Sequence, residues 1–229
     1  CLNAGIAPST RRNEPELTKD GFESCIGTNH LGHYLLAHDL LPCLEMSKSD
    51  NGPTIVVTAS SVHDPEQPGG SVGGKNGADL GDLSGLGLVL DPSAVAAGTA
   101  PTMASGSSEF SGSKVYADSK LMNVMFAREA TKRRSPGVRL LAFNPGFIPS
   151  SGLFREPRKD NWVAATAFTF VATYIAKFAV PIDVGGARLA ALATSSTSEF
   201  GSGEYLSAAT GSAAVTKADG FDGAVVSTE

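Results

Sequence analysis

The sequence predicts an α/β fold in which helices cover a parallel sheet. Residues 54–58 and 138–143 are short runs of β-branched and apolar side chains, a pattern typical of buried strands. The stretch between them carries Tyr116 and Lys120 on a predicted helix. A strand, a helix and a further strand in this order favour parallel pairing, because a helix is the usual crossover between parallel neighbours.

A long helix is predicted for residues 22–44, ahead of the first strand. Side chains at a 3-4-3-4 spacing form one face of this helix. That face consists of Phe22, Ile26, Asn29, His33, Leu36, Leu40 and Leu44. A buried amide without a partner costs about 1–3 kcal/mol, so Asn29 needs a hydrogen bond. The expected partner is a neighbouring strand or a water that leads to Lys120, and Asn29 can bond to both at once.

The segment 162–182 is apolar enough to be weighed against a membrane span. It has close to the ~20 residues that a span requires, and Lys177 is its one charged residue. Its Thr and Ala residues weaken the apolar character, and Pro181 ends it, so a spanning helix is not favoured. Residues 185–194 are predicted as a short helix, and residues 203–206 as the last strand of the sheet.

Tyr116 and Lys120 have the spacing of a proton-transfer pair. Residues four apart share one face of a helix, so the phenol and the ammonium point into the same space. A cation that lowers a phenol pKa by roughly 3 units from ~10 must contribute about 4 kcal/mol, which requires a close, partly desolvated pair. We therefore expect Lys120 to hold Tyr116 acidic. The alternative is that Tyr116 and Lys120 lie on an ordinary exposed helix face and have no chemical role.

Polar groups follow both predicted strands. Ser60 and Ser61 stand at the end of the first strand, and Asn144-Pro145-Gly146 follows the second. Ligands of open α/β sheets lie beyond the carboxyl ends of the strands. The serine hydroxyls and the phenol of Tyr116 are therefore expected to converge on one crevice.

These landmarks resemble the short-chain dehydrogenase/reductase family. In chain order they are Asn3-Ala4-Gly5, Asn29, Ser61, Tyr116, Lys120 and Pro145-Gly146. Within that family, residues 27–33, 80–86 and 152–156 are similar to the light-dependent protochlorophyllide oxidoreductases. The resemblance runs from Cys1 to about Leu206. It implies a Rossmann-type doubly wound parallel sheet and a nicotinamide cofactor, with NADPH favoured over NADH.

The resemblance also implies roles for the landmark residues. Tyr116 would supply a proton while hydride comes from the nicotinamide, and Lys120 would bind the ribose hydroxyls. Ser61 would orient the substrate, and Asn29 would fix a relay water. Cofactor contacts are expected from Asn3, Ala4, Gly5, Tyr116, Lys120, Pro145, Gly146, Ile148 and Ser150.

The expected substrate pocket includes Phe147, Leu153 and Phe154. Phe147 stands where the protochlorophyllide enzymes typically have a Cys associated with proton delivery. This departure keeps two alternatives open: an NADP-dependent carbonyl reductase or retinol dehydrogenase for a lipophilic substrate, and a non-catalytic scaffold. In related enzymes a substrate lid follows the Pro-Gly strand. We therefore expect residues 162–182 to form a lid that also touches a membrane surface.

One domain is expected for residues 1–229, with the N-terminal strands of the sheet missing. The Gly-rich turn that receives a pyrophosphate is absent from the sequence, which favours a fragment without its cofactor-phosphate half. Ser61 and Tyr116 lie 55 positions apart, so residues 62–112 are interpreted as an insertion loop, which the resemblance places over the substrate. For residues 92–112 a loose surface excursion stays the alternative. Residues 207–229 are interpreted as a loose tail.

Composition narrows the partners. The net charge of −5 and the lack of a basic stripe argue against nucleic acid. The resemblance implies a small-molecule partner, a tetrapyrrole or a lipophilic carbonyl. Cys1, Cys25 and Cys43 have no metal spacing and fit reduced thiols. No metal site is predicted, since helix packing is favoured for His30 and His33. A chloroplast location follows from the resemblance; otherwise a cytoplasmic or membrane-associated one is expected.

Overall fold

A parallel sheet forms the centre of the molecule. The computed structural model describes residues 1–48, 51–66, 77–85, 91–133 and 137–207. Strands β1 (Thr54–Thr58), β2 (Arg139–Asn144) and β3 (Tyr205–Ser207) pair in parallel in the order β1-β2-β3. Leu2 forms a further parallel bridge with Val57 on the free edge of β1. The predicted α/β class with a Rossmann-type parallel sheet is confirmed, and each predicted strand lies within two residues of the observed one.

Helices cover both faces of this sheet. They are α1 (Ser24–Ile26), α2 (Gly32–Glu45), α3 (Pro92–Ala96), α4 (Gly112–Arg133), α5 (Arg155–Asp160), α6 (Trp162–Phe170) and α7 (Ile182–Thr194). On one face, side chains of β1 and β2 pack against Ala37 and Leu41 of α2 and Val124 of α4. On the other, Leu141 of β2 packs with Leu192 of α7. Burial alternates between the faces because successive strand residues point in opposite directions.

The predicted helix 22–44 is interrupted by a π-helical turn, Gly27–Leu31, between α1 and α2. A π-turn inserts one residue, so the apolar face continues one position later than predicted. Ala37 and Leu41 are 4% and 7% exposed, whereas the predicted Leu36 and Leu40 are 48% and 45% exposed. The predicted face was wrong at Leu36 and Leu40 for this reason, whereas the predicted Leu44 is partly buried and packs against the core.

Helix α4 begins where a glycine lets two segments meet. A Cβ on Gly112 would lie 2.3 Å from the carbonyl oxygen of Ser9, so the absence of a side chain permits the close approach. Lys132 and Arg133 occupy the last turn, where cations oppose the negative end of the helix. Arg134 lies outside the described residues.

The insertion 62–112 packs against helix α4 in its described part. Met103 and Phe110 join Cys25, Ile26 and Met122 in one buried cluster. The Oδ1 atom of the buried Asp118 on α4 accepts a hydrogen bond from the Asp79 amide at 2.8 Å. Within residues 92–112, α3 forms, and apolar side chains such as Met103 and Phe110 are buried. Residues 67–76 and 86–90 of the insertion lie outside the described residues, as do residues 208–229 of the predicted tail.

The segment 162–182 consists of α6, a π-turn (Val171–Ile175) and an extended stretch that leads into α7. Helix α7 begins three residues earlier than predicted, at Ile182. Large apolar side chains are exposed along this segment: Trp162, Val163, Phe168, Phe170, Val171, Tyr174, Ile175, Phe178 and Ile182. Within the described ranges, no helix combines the length and the apolar character needed to cross a membrane.

Candidate active site

Tyr116 and Lys120 lie together on α4, facing the end of β1. The Nζ atom of Lys120 is 5.4 Å from the centroid of the Tyr116 ring. It donates a hydrogen bond to the main-chain oxygen of Thr58, the last residue of β1, at 3.1 Å. Lys120 is only 3% exposed, and burial lowers the pKa of its ammonium to about 8. A cationic group is therefore held at the strand end at neutral pH.

Lys120 does not make Tyr116 acidic in this structure. Burial raises the pKa of the Tyr116 phenol above its ordinary value, and the neighbouring Cys25 adds to the rise. The structure does not show the expected acidification: burial raises the pKa of the phenol, and the Lys120 ammonium donates to the Thr58 carbonyl. The phenol is protonated at neutral pH, so it enters a reaction as a proton donor.

The hydroxyl that meets Tyr116 belongs to Ser60. A hydrogen bond with the Ser60 side chain is the contact that lowers the pKa of Tyr116 against the effect of burial. The carbonyl of Ser60 accepts a hydrogen bond from Nδ1 of His63 at 2.5 Å, and its hydroxyl caps the short 3-10 turn Ser61–His63. Ser61, which the resemblance indicates, is the first residue of that turn. Sequence spacing cannot distinguish two adjacent serines at a strand end.

Asn29 ties the π-turn to the N-terminal segment. Its Oδ1 accepts from the Ile6 amide at 2.8 Å, and its Nδ2 donates to the Ile6 carbonyl at 3.0 Å and to the Ser119 hydroxyl at 3.0 Å. The side chain is fully buried. These bonds satisfy the buried amide, as its burial requires. The main-chain partner is Ile6, in the segment that follows Leu2, and not a residue of a strand.

Gly5 faces both Asn29 and Lys120. A Cβ placed on Gly5 would lie 3.4 Å from Asn29 Oδ1 and 3.8 Å from Lys120 Nζ. The same Cβ would lie 3.8 Å from Cδ1 of Leu153, one of the expected pocket residues. The main chain at Gly5 is therefore open toward the ammonium, with an apolar side chain beside it.

The other residues expected to contact the cofactor lie in the N-terminal segment and in the stretch that follows β2. Asn3 and Ala4 are exposed, and Asn3 Oδ1 accepts from the Thr58 hydroxyl at 2.8 Å. Gly146 has a φ of 85°, a conformation that favours glycine, and its amide donates to Asn144 Oδ1 at 3.1 Å. This turn, at Pro145-Gly146, ends β2. Ile148 points toward Gly185 of α7, and Ser150 is exposed in a turn.

Phe147 is the centre of an aromatic cluster. Its ring centroid lies 5.2 Å from that of Phe154, 5.4 Å from Phe168 and 5.6 Å from Phe178. Its carbonyl accepts from the Val180 amide at 2.7 Å. Tilted and edge-to-face ring pairs at this distance are favourable. Phe147 therefore anchors the segment that contains α6 to the end of β2.

Comparison with known proteins gives protochlorophyllide reductases among the relatives of the chain. No model of a known protein family matches the chain. The chloroplastic protochlorophyllide reductase of Chlamydomonas reinhardtii is 36% identical over 194 residues, which are 84% of this chain and 45% of that protein. The chloroplastic protochlorophyllide reductase B of Hordeum vulgare is 40% identical over 67% of this chain and 37% of its own length.

Among solved structures, the NADPH-bound carbonyl reductase from chicken fatty liver matches with a TM-score of 0.49 and 20% identity. The match covers 93% of this chain and 64% of that one. The chain spans less than half of the length of the two protochlorophyllide reductases. The chain belongs to the short-chain dehydrogenase/reductase family, among relatives of the protochlorophyllide reductases.

Proposed function

We propose that the chain carries the catalytic residues of an NADPH-dependent oxidoreductase that reduces protochlorophyllide. The observation that supports this most directly is the pairing of the partly buried Tyr116 with the buried Lys120, whose ammonium faces the main chain of Gly5. The relatives at 36% and 40% identity are protochlorophyllide reductases, which favours that substrate. Because those relatives are chloroplastic, we also propose a plastid location.

The residues present fit a nicotinamide cofactor. Gly5 has no side chain of its own, so its main chain faces the Lys120 ammonium. That ammonium has three N–H donors, of which one goes to Thr58. Asn29 holds this wall in place through its bonds to Ile6. A ribose hydroxyl at this point would accept from Lys120. NADPH, when bound, supplies the hydride.

Tyr116 is the proposed proton donor. Hydride from bound NADPH would add to one carbon of the ring C=C bond, and Tyr116 would pass its O–H proton to the other. The hydrogen bond with the Ser60 hydroxyl would stabilise the phenolate left behind. It regains a proton from solvent before the next turnover. Leu153, beside Gly5, and the Phe147 cluster offer apolar surface to a flat ring.

The direct test uses the protein expressed from its complete open reading frame, with NADPH and protochlorophyllide. We expect chlorophyllide absorbance after illumination and none in the dark. A parallel dark reaction with NADPH and an apolar aldehyde tests the carbonyl reductase alternative, which the apolar Phe147 favours. Aldehyde reduction without chlorophyllide would replace protochlorophyllide as the substrate. Turnover of neither compound would contradict an oxidoreductase and favour a scaffold.

Ser60 gives a prediction that separates the two adjacent hydroxyls. Ser60→Ala should lower kcat about tenfold or more, because it removes the hydrogen bond that favours the ionised phenol. The affinity for NADPH should stay unchanged. Ser61→Ala is the matched variant, with the same atoms removed one residue later. A larger loss of kcat for Ser61→Ala than for Ser60→Ala would assign the catalytic hydroxyl to Ser61 instead.

A further inference from the structure

The side chain of Asn123 connects three parts of the site. Asn123 lies one turn after Lys120 on α4 and is fully buried. Its Nδ2 donates to the main-chain oxygen of Thr58 at 3.0 Å and to that of Asn29 at 3.0 Å. Its Oδ1 faces Nδ1 of His30 at 3.0 Å. The strand end, the π-turn and the helix α4 are therefore joined by one amide.

The orientation of this amide follows from its partners. Main-chain oxygens only accept hydrogen bonds, so the atom that faces both of them must be the NH2 group. Both of its protons are used, and Oδ1 is left as an acceptor. Nδ1 of His30 must then carry a proton and donate it. Burial lowers the pKa of His30, so the neutral ring with this single tautomer is favoured.

The oxygen of Thr58 is shared between Asn123 and Lys120. It accepts from Lys120 Nζ at 3.1 Å and from Asn123 Nδ2 at 3.0 Å. A flexible lysine reaches many positions, so the acceptor that it meets decides where its charge lies. The second bond from Asn123 fixes that acceptor. The bond to Asn29 fixes the π-turn, whose Asn29 side chain in turn borders the open main chain at Gly5.

We propose that Asn123 is a positioning residue for catalysis, which sets the place of the Lys120 ammonium by holding the Thr58 and Asn29 carbonyls. The inference rests on the proposed function and adds a residue to its site. Asn123→Leu removes all three bonds at similar volume. It should lower kcat about 10- to 100-fold, since displacements near 1 Å have effects of this size. The KM for protochlorophyllide should stay unchanged.

A double-mutant cycle tests whether Asn123 acts through Lys120. In a Lys120→Met background, Asn123→Leu should change kcat less than about twofold, because the ammonium that it positions is gone. An equal loss of kcat in both backgrounds would overturn the proposal. Met122→Leu, a neighbouring buried substitution on α4, serves as the control for packing and should leave kcat unchanged. If the leucine variant does not fold, Asn123→Asp keeps the outline and removes both donors.

A second measurement does not depend on turnover. The ionisable groups that face Lys120 are Cys25 on α1, His33 on α2 and Tyr116 on α4. Asn123→Leu alters none of them, so displacing the Thr58 oxygen should lower the lysine pKa further from about 8. Carbon NMR of labelled lysine measures this change. An unchanged lysine pKa would contradict the positioning role. A lowered pKa in a protein without reductase turnover would keep that role and reject the proposed function.

Discussion

Replacing Tyr116 by Phe is expected to lower turnover about 100-fold or more, the range typical of losing a general acid. The substitution removes one oxygen and leaves the ring over which Lys120 lies. The Lys120 bond to Thr58 is untouched, so the affinity for NADPH should change little. Single-turnover formation of chlorophyllide and a separate titration with NADPH measure the two effects.

Tyr34→Phe is the matched control for Tyr116→Phe. Tyr34 lies on α2, is 48% exposed and packs its ring against Phe126, so the same chemical change occurs away from the site. Turnover of this variant should equal that of the natural protein. If Tyr116→Phe also kept turnover within a few-fold, Tyr116 would not be the proton donor. The proton would then have to come from another group or from water.

Local patterns predicted the strands of this fold because a buried strand is short and its signal lies in its own residues. The run 54–58 was predicted as a strand and is β1, and the strand predicted at 138–143 is displaced by one residue. The π-turn at Gly27–Leu31 was not predicted. A regular period assigned Leu36 and Leu40 to the buried face, and one inserted residue moved that face to Ala37 and Leu41.

The site shows a similar division between local and tertiary information. The spacing of Tyr116 and Lys120 put both on one helix face, and they share it in the structure. Sequence reasoning could not foresee that Lys120 bonds the Thr58 carbonyl, because main-chain acceptors leave no trace in side-chain identity. Asn123 was missed for the same reason: two of its three partners are main-chain oxygens.

The acid strength of Tyr116 depended on information that the sequence does not carry. A nearby lysine lowers a phenol pKa, whereas burial raises it, and spacing alone shows only the first effect. In the structure burial raises the pKa of the phenol, so the phenol keeps its proton. Proton donation remains the role that this state favours. A Tyr116 that begins protonated needs Ser60 after the proton has left, when the phenolate must be stabilised.

Substitution of Phe147 gives the second large expected effect on chlorophyllide formation. The result decides whether this position contributes packing or a proton. Phe147→Cys and Phe147→Ala both remove ring contacts to Phe154, Phe168 and Phe178 at once. We expect both variants to lower chlorophyllide formation about tenfold or more, because the segment that carries α6 loses its anchor and the pocket loses its shape. Each ring pair contributes about 0.5–1.5 kcal/mol beyond burial, so the temperature of unfolding should fall as well.

The comparison between these two variants isolates the thiol. Cys and Ala leave nearly the same space, but only Cys offers an acidic proton and a polarizable sulfur. Equal yields from both would show that Phe147 acts through packing and that Tyr116 alone supplies the proton. A yield of Phe147→Cys above that of the natural protein would show that proton delivery from this position limits the reaction. Illumination with NADPH and protochlorophyllide, followed by chlorophyllide absorbance, measures both yields on one scale. We expect equality, because the Phe147 ring points into the aromatic cluster while the phenol of Tyr116 meets Ser60 at the end of β1.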